Sequence, residues 1–282
     1  MPEGPFKVAA AQLTSTEDRE QNLETCRRLA AEAADHGASL FALPECYGFL
    51  PASERNRFAI AEVLDHHQPG PILDATLEMA REHRMWIVGG GIAEVLPEQE
   101  GGEITKTYNT CVVASPSGEI AARYRKIHLF DIDIPGKAQL RESDTTEAGR
   151  EIVSLTTPLG KLGLTICYDL RFPELYRALA FDDAAEILLV PSAFTAHTGA
   201  AHWHTLLRAR AIENQCFVVA PAQAGRHNER RQSYGHSLVV DPWGEVLAEK
   251  GDGAGLAVAE IDLERLRDVR RRMPCHAHRV LR

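Results

Sequence analysis

Short apolar, strand-like runs alternate with longer amphipathic segments along almost the whole chain, and this alternation constrains the fold more than any other feature. Lys7–Leu13 is typical of a buried strand, and Glu17–Asp35 carries apolar residues at helical spacing and ends before Gly37. A second strand at Leu40–Leu43 and a second helix at Ile72–Arg84 repeat the order. The pattern predicts the α/β class, with helices packed on the faces of sheets.

The organisation of the chain favours one domain. No Gly/Ser-rich linker or low-complexity segment divides the 282 residues, so we predict a single domain over 1–282. Two hairpins are expected around the turns 115–118 and 241–244, which place Pro early and Gly late. Their similarity indicates one supersecondary unit used twice. Phe130–Arg150, between the hairpins, is predicted to be a loop.

The charge balance disfavours nucleic acid as a partner. The 31 basic and 40 acidic side chains give a formal net charge of −9, which repels polyanions. No apolar stretch approaches the roughly 18 to 20 residues that span a bilayer, and Met1–Lys7 lacks the apolar run of a signal peptide. We therefore expect a cytosolic protein with no membrane partner.

The cysteines and histidines indicate neither disulfides nor a metal. The six cysteines lie far apart without a Cys-x-x-Cys pair, and reduced thiols are the expectation for a cytosolic chain of this size. The pairs His202-x-His204 and His276-x-His278 have no third ligand at a recognisable distance. No Gly-x-Ser-x-Gly elbow, phosphate-binding loop or dinucleotide fingerprint is present. No metal or organic cofactor is expected.

Cys167 is the strongest candidate for a nucleophile. The apolar run Lys161–Ile166 ends directly before it, and a helix is expected to start at Pro173, where proline suits the first turn. A thiol at such a strand-to-helix junction points out of the sheet, beside backbone N–H groups that are free to meet an oxyanion. Most isolated cysteines are buried and structural. The polar and charged residues that follow Cys167 favour the reactive alternative.

A cysteine nucleophile needs activation, because the thiolate reacts and free cysteine titrates near ~8.5. Glu45 follows the apolar run Phe41–Pro44, and Lys126 ends the strand-like run before Ile127. Sites in open α/β sheets lie at the carboxyl ends of strands, where both residues are placed. Taken singly, each is more readily explained as a solvated charge, and periodicity alone does not show that the two residues meet in space.

The sequence resembles the nitrilase superfamily of carbon–nitrogen hydrolases from about Lys7 to Leu266. In that family a glutamate, a lysine and a cysteine occur in this order on separate strands. The matching segments are Ala42–Glu45, Tyr124–Leu129 and Cys167–Glu174. The resemblance implies a four-layer αββα sandwich and an active site made of Glu45, Lys126 and Cys167. It also implies a second glutamate near the site, for which Glu142 in Ile134–Ser143 is the matching residue.

The family resemblance further implies an amidase mechanism through a thioester. Glu45 would take the proton of Cys167 as sulfur attacks the amide carbonyl, and Lys126 with the backbone N–H of Tyr168 would stabilise the oxyanion. Glu45 would then protonate the departing amine and activate water, which Glu142 would help to position. Such an enzyme requires no cofactor.

Within the family, the chain is most similar to the deaminated-glutathione amidases, with the ω-amidases close behind. The segments that carry this similarity are Pro191–Phe194, His202–Trp203, Leu206–Glu213, Ala222–His227 and Ser233–Ser237. Phe130–Lys137 is also similar to ω-amidases. The sequence departs from the branch at Ala200, usually proline, and at His204, usually glutamate. Tyr168-Asp169 after the cysteine argues against true nitrilases.

Both branches act on a 2-oxo acid with a γ-amide, so a residue that binds a carboxylate is expected. Arg171 is the candidate, because a guanidinium pairs with a carboxylate through two hydrogen bonds; a structural ion pair is the equally weighted alternative. By resemblance, Phe194 and Thr198 would line the same pocket as Tyr168. Arg226, His227, Arg230 and Arg231 are either a solvated basic loop or a site for a distant carboxylate.

Several alternatives stay open at this point. The favoured function is hydrolysis of deaminated glutathione to 2-oxoglutarate and cysteinylglycine. An ω-amidase acting on α-ketoglutaramate is the nearest alternative, a carbamoyl-amide hydrolase a more distant one, and a non-catalytic scaffold the alternative outside enzymes. The resemblance also implies a homodimer or higher homo-oligomer, with the helix after Cys167 and the C-terminal extension 263–282 at the interface.

Overall fold

The computed structural model describes residues 4–65, 67–134 and 138–280. The N-terminal Met1–Glu3, His66, Pro135–Lys137 and the C-terminal Leu281–Arg282 lie outside the described residues. The predictions that concern those positions, at the two ends of the domain and within the segment 134–143, are therefore followed only for their described parts.

Sixteen strands and six helices make up the described chain. The strands are β1 (Phe6–Leu13), β2 (Ala38–Ala42), β3 (Trp86–Val95), β4 (Thr107–Ala114), β5 (Ile120–Arg125), β6 (Asp131–Ile134), β7 (Ala138–Arg141), β8 (Ser154–Thr157), β9 (Gly160–Leu164), β10 (Ile187–Leu189), β11 (Phe217–Ala220), β12 (Ala222–Arg226), β13 (Gln232–Tyr234), β14 (Leu238–Val240), β15 (Val246–Glu249) and β16 (Gly255–Ile261). The helices are α1 (Arg19–Asp35), α2 (Pro71–His83), α3 (Pro173–Arg177), α4 (Ala196–Asn214), α5 (Leu263–Arg272) and α6 (Cys275–His278).

Two large sheets form the centre of the molecule. The first has eight strands in the order β13-β12-β1-β2-β3-β4-β5, with β16 paired to β1 as well. The second has six strands in the order β15-β14-β11-β10-β9-β8. The strands β6 and β7 form a separate two-stranded hairpin.

The side chains of β1 show how the layers stack. Because successive side chains of a strand point to opposite faces, Val8 and Ala10 enter one core while Ala9, Ala11 and Leu13 enter another. The first core also contains residues of the second sheet and of α3 and α4, and the second core contains α1 and α2. The result is the predicted αββα sandwich, with the two sheets packed on each other inside two layers of helices.

The two sheets share a pattern of strand pairing. In the first, β1, β2 and β3 run parallel, and β4 and β5 add antiparallel. In the second, β9, β10 and β11 run parallel, and β14 and β15 add antiparallel. The two predicted hairpins are thus β4–β5 and β14–β15. They occupy matching positions, in agreement with a unit used twice.

At Gly90 of β3, chain segments that follow strands of the two large sheets approach each other closely. A Cβ atom at this position would lie 2.3 Å from the carbonyl oxygen of Leu43 and 2.4 Å from the Cβ atom of Pro191. Leu43 follows β2 in the first half, and Pro191 follows β10 in the second. Only glycine fits without moving one of these two chain segments.

The structure corrects the prediction for Phe130–Arg150. The hairpin β6–β7 and a 3-10 turn at Glu142–Asp144 occupy part of the segment that was expected to be a loop. Asp131–Ile134 alternates acidic and apolar residues, and a strand this short and polar resembles a loop in composition. β16 and α5 were also missed.

The C-terminal segment packs on the chain's own core as far as it is described. Leu263 and Leu266 of α5 belong to the first core, which contains residues of both sheets and of α3 and α4, and Val269 is buried. Arg270 donates hydrogen bonds to the carbonyl oxygens of Gln215 and Ala185. None of the described helices has the length and apolar character needed to cross a bilayer.

Candidate active site

Glu45, Lys126 and Cys167 meet in the structure, and each follows the end of a strand. Glu45 comes after β2 and Lys126 directly after β5, both in the first sheet, whereas Cys167 comes after β9 in the second. The Lys126 Nζ lies 2.9 Å from the Glu45 Oε1, and the Cys167 thiol lies close enough to the Glu45 carboxylate for the two groups to shift each other's pKa. All three side chains are buried and line one small cavity.

Glu142 joins the cluster from the 3-10 turn after β7. Its Oε2 and Oε1 atoms lie 2.8 and 3.1 Å from the Lys126 Nζ, so the ammonium group bridges two carboxylates. The Phe130 N–H donates to the Glu142 Oε2 at 2.7 Å and fixes the side chain. Glu142, the residue expected to be the second glutamate of the site, therefore lies beside the other three side chains.

Two further groups hold the Glu45 carboxylate in place. The Asn109 Nδ2 donates to the Glu45 Oε1 at 2.9 Å and lies 3.4 Å from the Glu142 Oε1. The Ala193 N–H donates to the Glu45 Oε2 at 2.9 Å. Because buried polar atoms are costly without partners, these bonds restrict Glu45 to one orientation toward the sulfur.

The electrostatics of the cluster define its resting protonation state. Burial opposes ionisation of Glu45, but the Lys126 charge and hydrogen bonds from Cys167 and Lys126 lower its pKa below the ordinary value. Burial also opposes the charge on Lys126, and Glu142 and Glu45 outweigh it and raise the pKa of the lysine. For Cys167, burial and then the Glu45 charge raise the thiol pKa well above its ordinary range. A protonated thiol therefore faces an ionised carboxylate.

The backbone of Cys167 has an unusual conformation. Its φ of 49° lies in the left-handed region, which costs of order 1 kcal/mol or more for a residue other than glycine. The Cys167 N–H donates to the Pro191 carbonyl oxygen at 2.9 Å, which secures this conformation from the neighbouring strand end. Tyr168 is the second residue of the 3-10 turn 167–171, and the first N–H groups of such a turn lack partners within it.

Asp169 connects the cysteine turn to the lysine segment. Its fully buried carboxylate accepts from the Ile166 N–H at 2.8 Å and the Tyr124 hydroxyl at 2.7 Å. It also accepts from the His128 N–H at 3.1 Å, and the His128 Nδ1 lies 2.7 Å away. Ile166 precedes Cys167, and Tyr124 and His128 flank Lys126. One carboxylate thus fixes the positions of Cys167 and Lys126 relative to each other.

The four expected substrate-contacting residues also come together. Tyr168, Arg171, Phe194 and Thr198 line a small cavity that includes Cys167. The Arg171 guanidinium lies 5.2 Å from the ring centroid of Phe194 and 5.8 Å from that of Tyr168. Among the residues that the structure describes, no carboxylate pairs with Arg171, and its Nη1 lies 3.2 Å from the Nδ1 of His202. This arrangement favours the carboxylate-binding alternative over a structural ion pair.

The residues of the basic loop 226–231 lie in different environments. His227 is buried between the Ser15 carbonyl and the Ser233 hydroxyl, and burial lowers its pKa to about 4, so it is a neutral structural residue. Arg230 and Arg231 line a cleft of about 720 Å³. Arg231, Glu54 and Leu140 belong both to this cleft and to the cavity of Glu45, Lys126 and Cys167, so the two spaces adjoin.

Sequence reasoning missed Asn109, the Ala193 N–H and the role of Asp169. Asn109 begins an ordinary strand pattern and carries no signal of its own. Asp169 belongs to the cysteine motif, and a carboxylate two residues after a buried nucleophile is a signal that could have been used. A backbone donor such as Ala193 has no sequence signature, because any residue except proline supplies an N–H.

The fold, the buried Glu-Lys-Cys cluster and a family comparison agree: the chain belongs to the carbon–nitrogen hydrolase family, whose model matches residues 7–271. It is therefore a hydrolase acting on carbon–nitrogen bonds other than peptide bonds. Deaminated glutathione amidase of Homo sapiens is 48% identical over 273 residues, which are 96% of this chain and 81% of that protein.

Solved structures give the same result. The NitFhit protein of C. elegans, a nitrilase and fragile histidine triad fusion, matches with a TM-score of 0.90 and 40% identity over 99% of this chain and 66% of that one. The amidase from Nesterenkonia sp. AN1 matches with a TM-score of 0.77 and 26% identity over 97% of each chain. That structure shows the acetamide moiety of fluoroacetamide covalently added at the active-site cysteine.

Proposed function

We propose that this protein is an amidase in which Cys167 forms a thioester with the acyl part of its substrate. The observation that carries the proposal is the buried cavity in which the Glu45 carboxylate pairs with the Lys126 ammonium group beside the Cys167 thiol. The covalent adduct at the cysteine of the related Nesterenkonia amidase supports the same role for Cys167.

In the acylation step, Glu45 takes the thiol proton as sulfur attacks the amide carbonyl. The high pKa of the buried thiol means that a free thiolate does not accumulate, so proton transfer and attack occur together. The developing oxyanion is stabilised by Lys126 and the Tyr168 N–H; removing one such donor typically costs about 3 kcal/mol. Glu45 then gives its proton to the departing amine.

In the deacylation step, Glu45 takes a proton from water, which attacks the thioester and releases the acid. Glu142 and Asn109 line the same cavity, 3.4 Å apart, and restrict where this water sits. The proton on Glu45 returns to the Cys167 sulfur. The cycle consumes one water and needs no cofactor.

On the acyl side, Arg171 binds the carboxylate of a 2-oxo acid. It lines the cavity of Cys167, lies against Phe194 and Tyr168, and forms no ion pair with an acidic side chain among the described residues. A guanidinium held by aromatic rings in this way is ready to pair with a carboxylate. Thr198 completes the wall of the same cavity.

On the leaving-group side, the cleft of about 720 Å³ favours a large amine. Deaminated glutathione is a 2-oxoglutaryl amide of the dipeptide cysteinylglycine, and its terminal carboxylate suits Arg230 and Arg231 on the cleft wall. Hydrolysis would give 2-oxoglutarate and cysteinylglycine. An ω-amidase acting on α-ketoglutaramate releases only ammonia and would leave the cleft unused.

The setting and assembly follow the same family pattern. We place the enzyme in the cytosol, where its six free thiols stay reduced. We also propose a homodimer formed through the helical layer of α3 and α4 and the C-terminal segment. Ile212, Trp243 and Met273 are exposed on this side and supply apolar contact area. A monomeric mass in analytical ultracentrifugation at micromolar concentration would contradict the dimer.

The decisive experiment compares kcat/KM for deaminated glutathione and α-ketoglutaramate in three proteins. Wild type should prefer deaminated glutathione. Cys167→Ala should lose activity on both substrates by about 10⁶-fold, as the removal of other covalent nucleophiles does. Arg230→Gln should lose activity on deaminated glutathione selectively, because Arg230 lines the cleft but not the cavity of Cys167, and only that substrate reaches the cleft.

Cys275→Ala is the matched control, because Cys275 is exposed in the tail and lines neither cavity. Full turnover in Cys167→Ala would refute the thioester mechanism. A wild-type preference for α-ketoglutaramate would keep the mechanism and assign the chain to the ω-amidases instead.

A further inference from the structure

A cluster of two histidines and a glutamate lies outside the amidase site. His204 is on α4, His236 lies between β13 and β14, and Glu249 ends β15. One ligand atom from each, an imidazole nitrogen or a carboxylate oxygen, lies within 4.8 Å of the other two. The sequence around His204 did not indicate a third ligand, because His236 and Glu249 come from other parts of the chain.

The two imidazole rings are held by their surroundings. The His236 backbone has a φ of 60°, in the left-handed region, and its carbonyl oxygen accepts from the Trp203 Nε1 at 2.8 Å. The Tyr234 ring stacks on His236 with centroids 4.4 Å apart and meets His204 edge-on at 6.0 Å. The rings therefore keep their relative positions without a bound ion.

The spacing between α4 and β13 is also fixed. A Cβ atom on Gly199 of α4 would lie 2.3 Å from the Cβ of Tyr234, so the helix backbone lies directly against the strand. This close approach places His204, further along the same helix, beside His236. The backbone packing of α4 against β13 is therefore what brings His204 and His236 together.

Glu249 connects the two rings. Its Oε1 atom lies 3.0 Å from the His204 Nε2 and 2.5 Å from the His236 Nδ1. The three side chains are each about one-third exposed, so an ion can reach them from solvent. A net charge of −9 favours the approach of cations.

We propose that His204, His236 and Glu249 form a binding site for a divalent transition-metal ion, with Zn²⁺ the ion that suits the donors best. Two imidazole nitrogens and one carboxylate oxygen are a known zinc donor set, with water at the fourth position. Tetrahedral bonds of about 2.0–2.2 Å place ligand atoms roughly 3.3–3.5 Å apart. The three ligand atoms now lie within 4.8 Å of one another, so side-chain adjustments on the order of 1 Å reach this spacing.

Metal binding replaces the hydrogen bonds of Glu249 with coordinate bonds. Each imidazole must present a lone pair at the nitrogen that now faces the carboxylate, so its proton moves to the other ring nitrogen or to solvent. The bound ion would join α4 to the strand pair β14–β15 and stabilise the folded protein. It would take no part in amide hydrolysis.

The test is a zinc titration against a chromophoric chelator, in a Cys275→Ser background that removes the exposed thiol. The parent should bind one Zn²⁺ per chain, and His204→Gln should bind it at least about tenfold more weakly. His202→Gln is the matched control, because it removes the neighbouring histidine on α4 and should leave the affinity unchanged. Thermal unfolding without metal checks that both variants fold, and added Zn²⁺ should raise Tm in His202→Gln but not in His204→Gln.

Substitution with Co²⁺ identifies the ligands. The expected spectrum is that of a four-coordinate ion with nitrogen and oxygen donors, which lacks a thiolate-to-metal charge-transfer band. Equal zinc affinity in the parent and in His204→Gln, or a thiolate band that survives Cys275→Ser, would overturn the proposal. Failure of the parent protein to bind Zn²⁺ when one equivalent is added would also overturn it.

Discussion

The two halves of the sandwich share one pattern of strands and differ in the residues at the strand ends. Pro44 follows β2 at the same position as Pro191 follows β10, and the next residues are Glu45 and Ser192. Lys126 follows β5 as Lys250 follows β15, and the backbone N–H of each donates to a carbonyl oxygen near the start of the neighbouring strand, that of Asn109 and that of Ser237.

The environments of the paired residues are very different. Lys126 is buried between Glu45 and Glu142, whereas the Lys250 Nζ binds the carbonyl oxygen of Asp252 at the surface. The Ser192 hydroxyl is buried and donates to the Val190 carbonyl oxygen. The topology thus fixes where strand ends lie, and the partners brought by neighbouring segments decide whether a residue there becomes reactive.

The largest difference is expected between Glu45→Gln and Ser192→Ala. Glutamine keeps the shape of the side chain but cannot accept the thiol proton, so kcat/KM should fall by about 10²–10⁴-fold. Ser192→Ala removes one hydrogen bond and should lower the free energy of unfolding by about 1 kcal/mol while kcat stays near wild type. Steady-state kinetics and urea unfolding measure the two effects. Comparable losses of kcat in both variants would show that the two strand ends are not functionally distinct.

The next difference is expected between Lys126→Met and Lys250→Met. Loss of Lys126 removes an oxyanion donor, which should cost about 10²–10³-fold in kcat. It also leaves buried carboxylates without their cation, so the pKa of Glu45 should rise and the acid limb of the pH–rate profile should move toward neutral pH. Lys250→Met should leave both the rate and the profile unchanged. A profile that stays in place for Lys126→Met would mean that the lysine does not control Glu45.

The smallest effect concerns stability at acid pH. Because the pKa of Glu45 is lowered by folding, its ionised form stabilises the native state above the unfolded pKa, and this contribution is lost as the pH falls through the folded pKa. Below about pH 4.5, the free energy of unfolding of wild type should therefore fall more steeply than that of Glu45→Gln. Urea unfolding from pH 6 downward measures the slopes, and Ser192→Ala, which removes no titrating group, should follow wild type.

Much of the fold was predictable because periodicity and turn residues report local structure. The helices α1 and α2 and both hairpins were predicted close to their observed ends, and the repeated hairpins correctly indicated a repeated unit. β16 was overlooked although its run Gly255–Ile261 is largely apolar, and the hairpin β6–β7 was missed because acidic and apolar residues alternate in its first strand. These elements depend on tertiary pairing more than on local pattern.

The site was predictable only in part. Strand ends identified Glu45, Lys126 and Cys167 as candidates, and the family resemblance supplied their connection and added Glu142. Asn109 and the Ala193 N–H could not be found in this way, since their importance comes from chain segments that meet only after folding. The same limit hid the cluster of His204, His236 and Glu249, whose members come from three elements.

The close approach at Gly90 has a consequence for activity. The acid and the lysine stand on one sheet and the sulfur on the other, so their hydrogen bonds depend on how tightly the sheets are stacked. A single methyl group at position 90 would act as a wedge between the segments of Leu43 and Pro191. Glu45, Lys126 and Cys167 would all remain in the chain. A wider separation of the two sheets would nevertheless be enough to abolish activity.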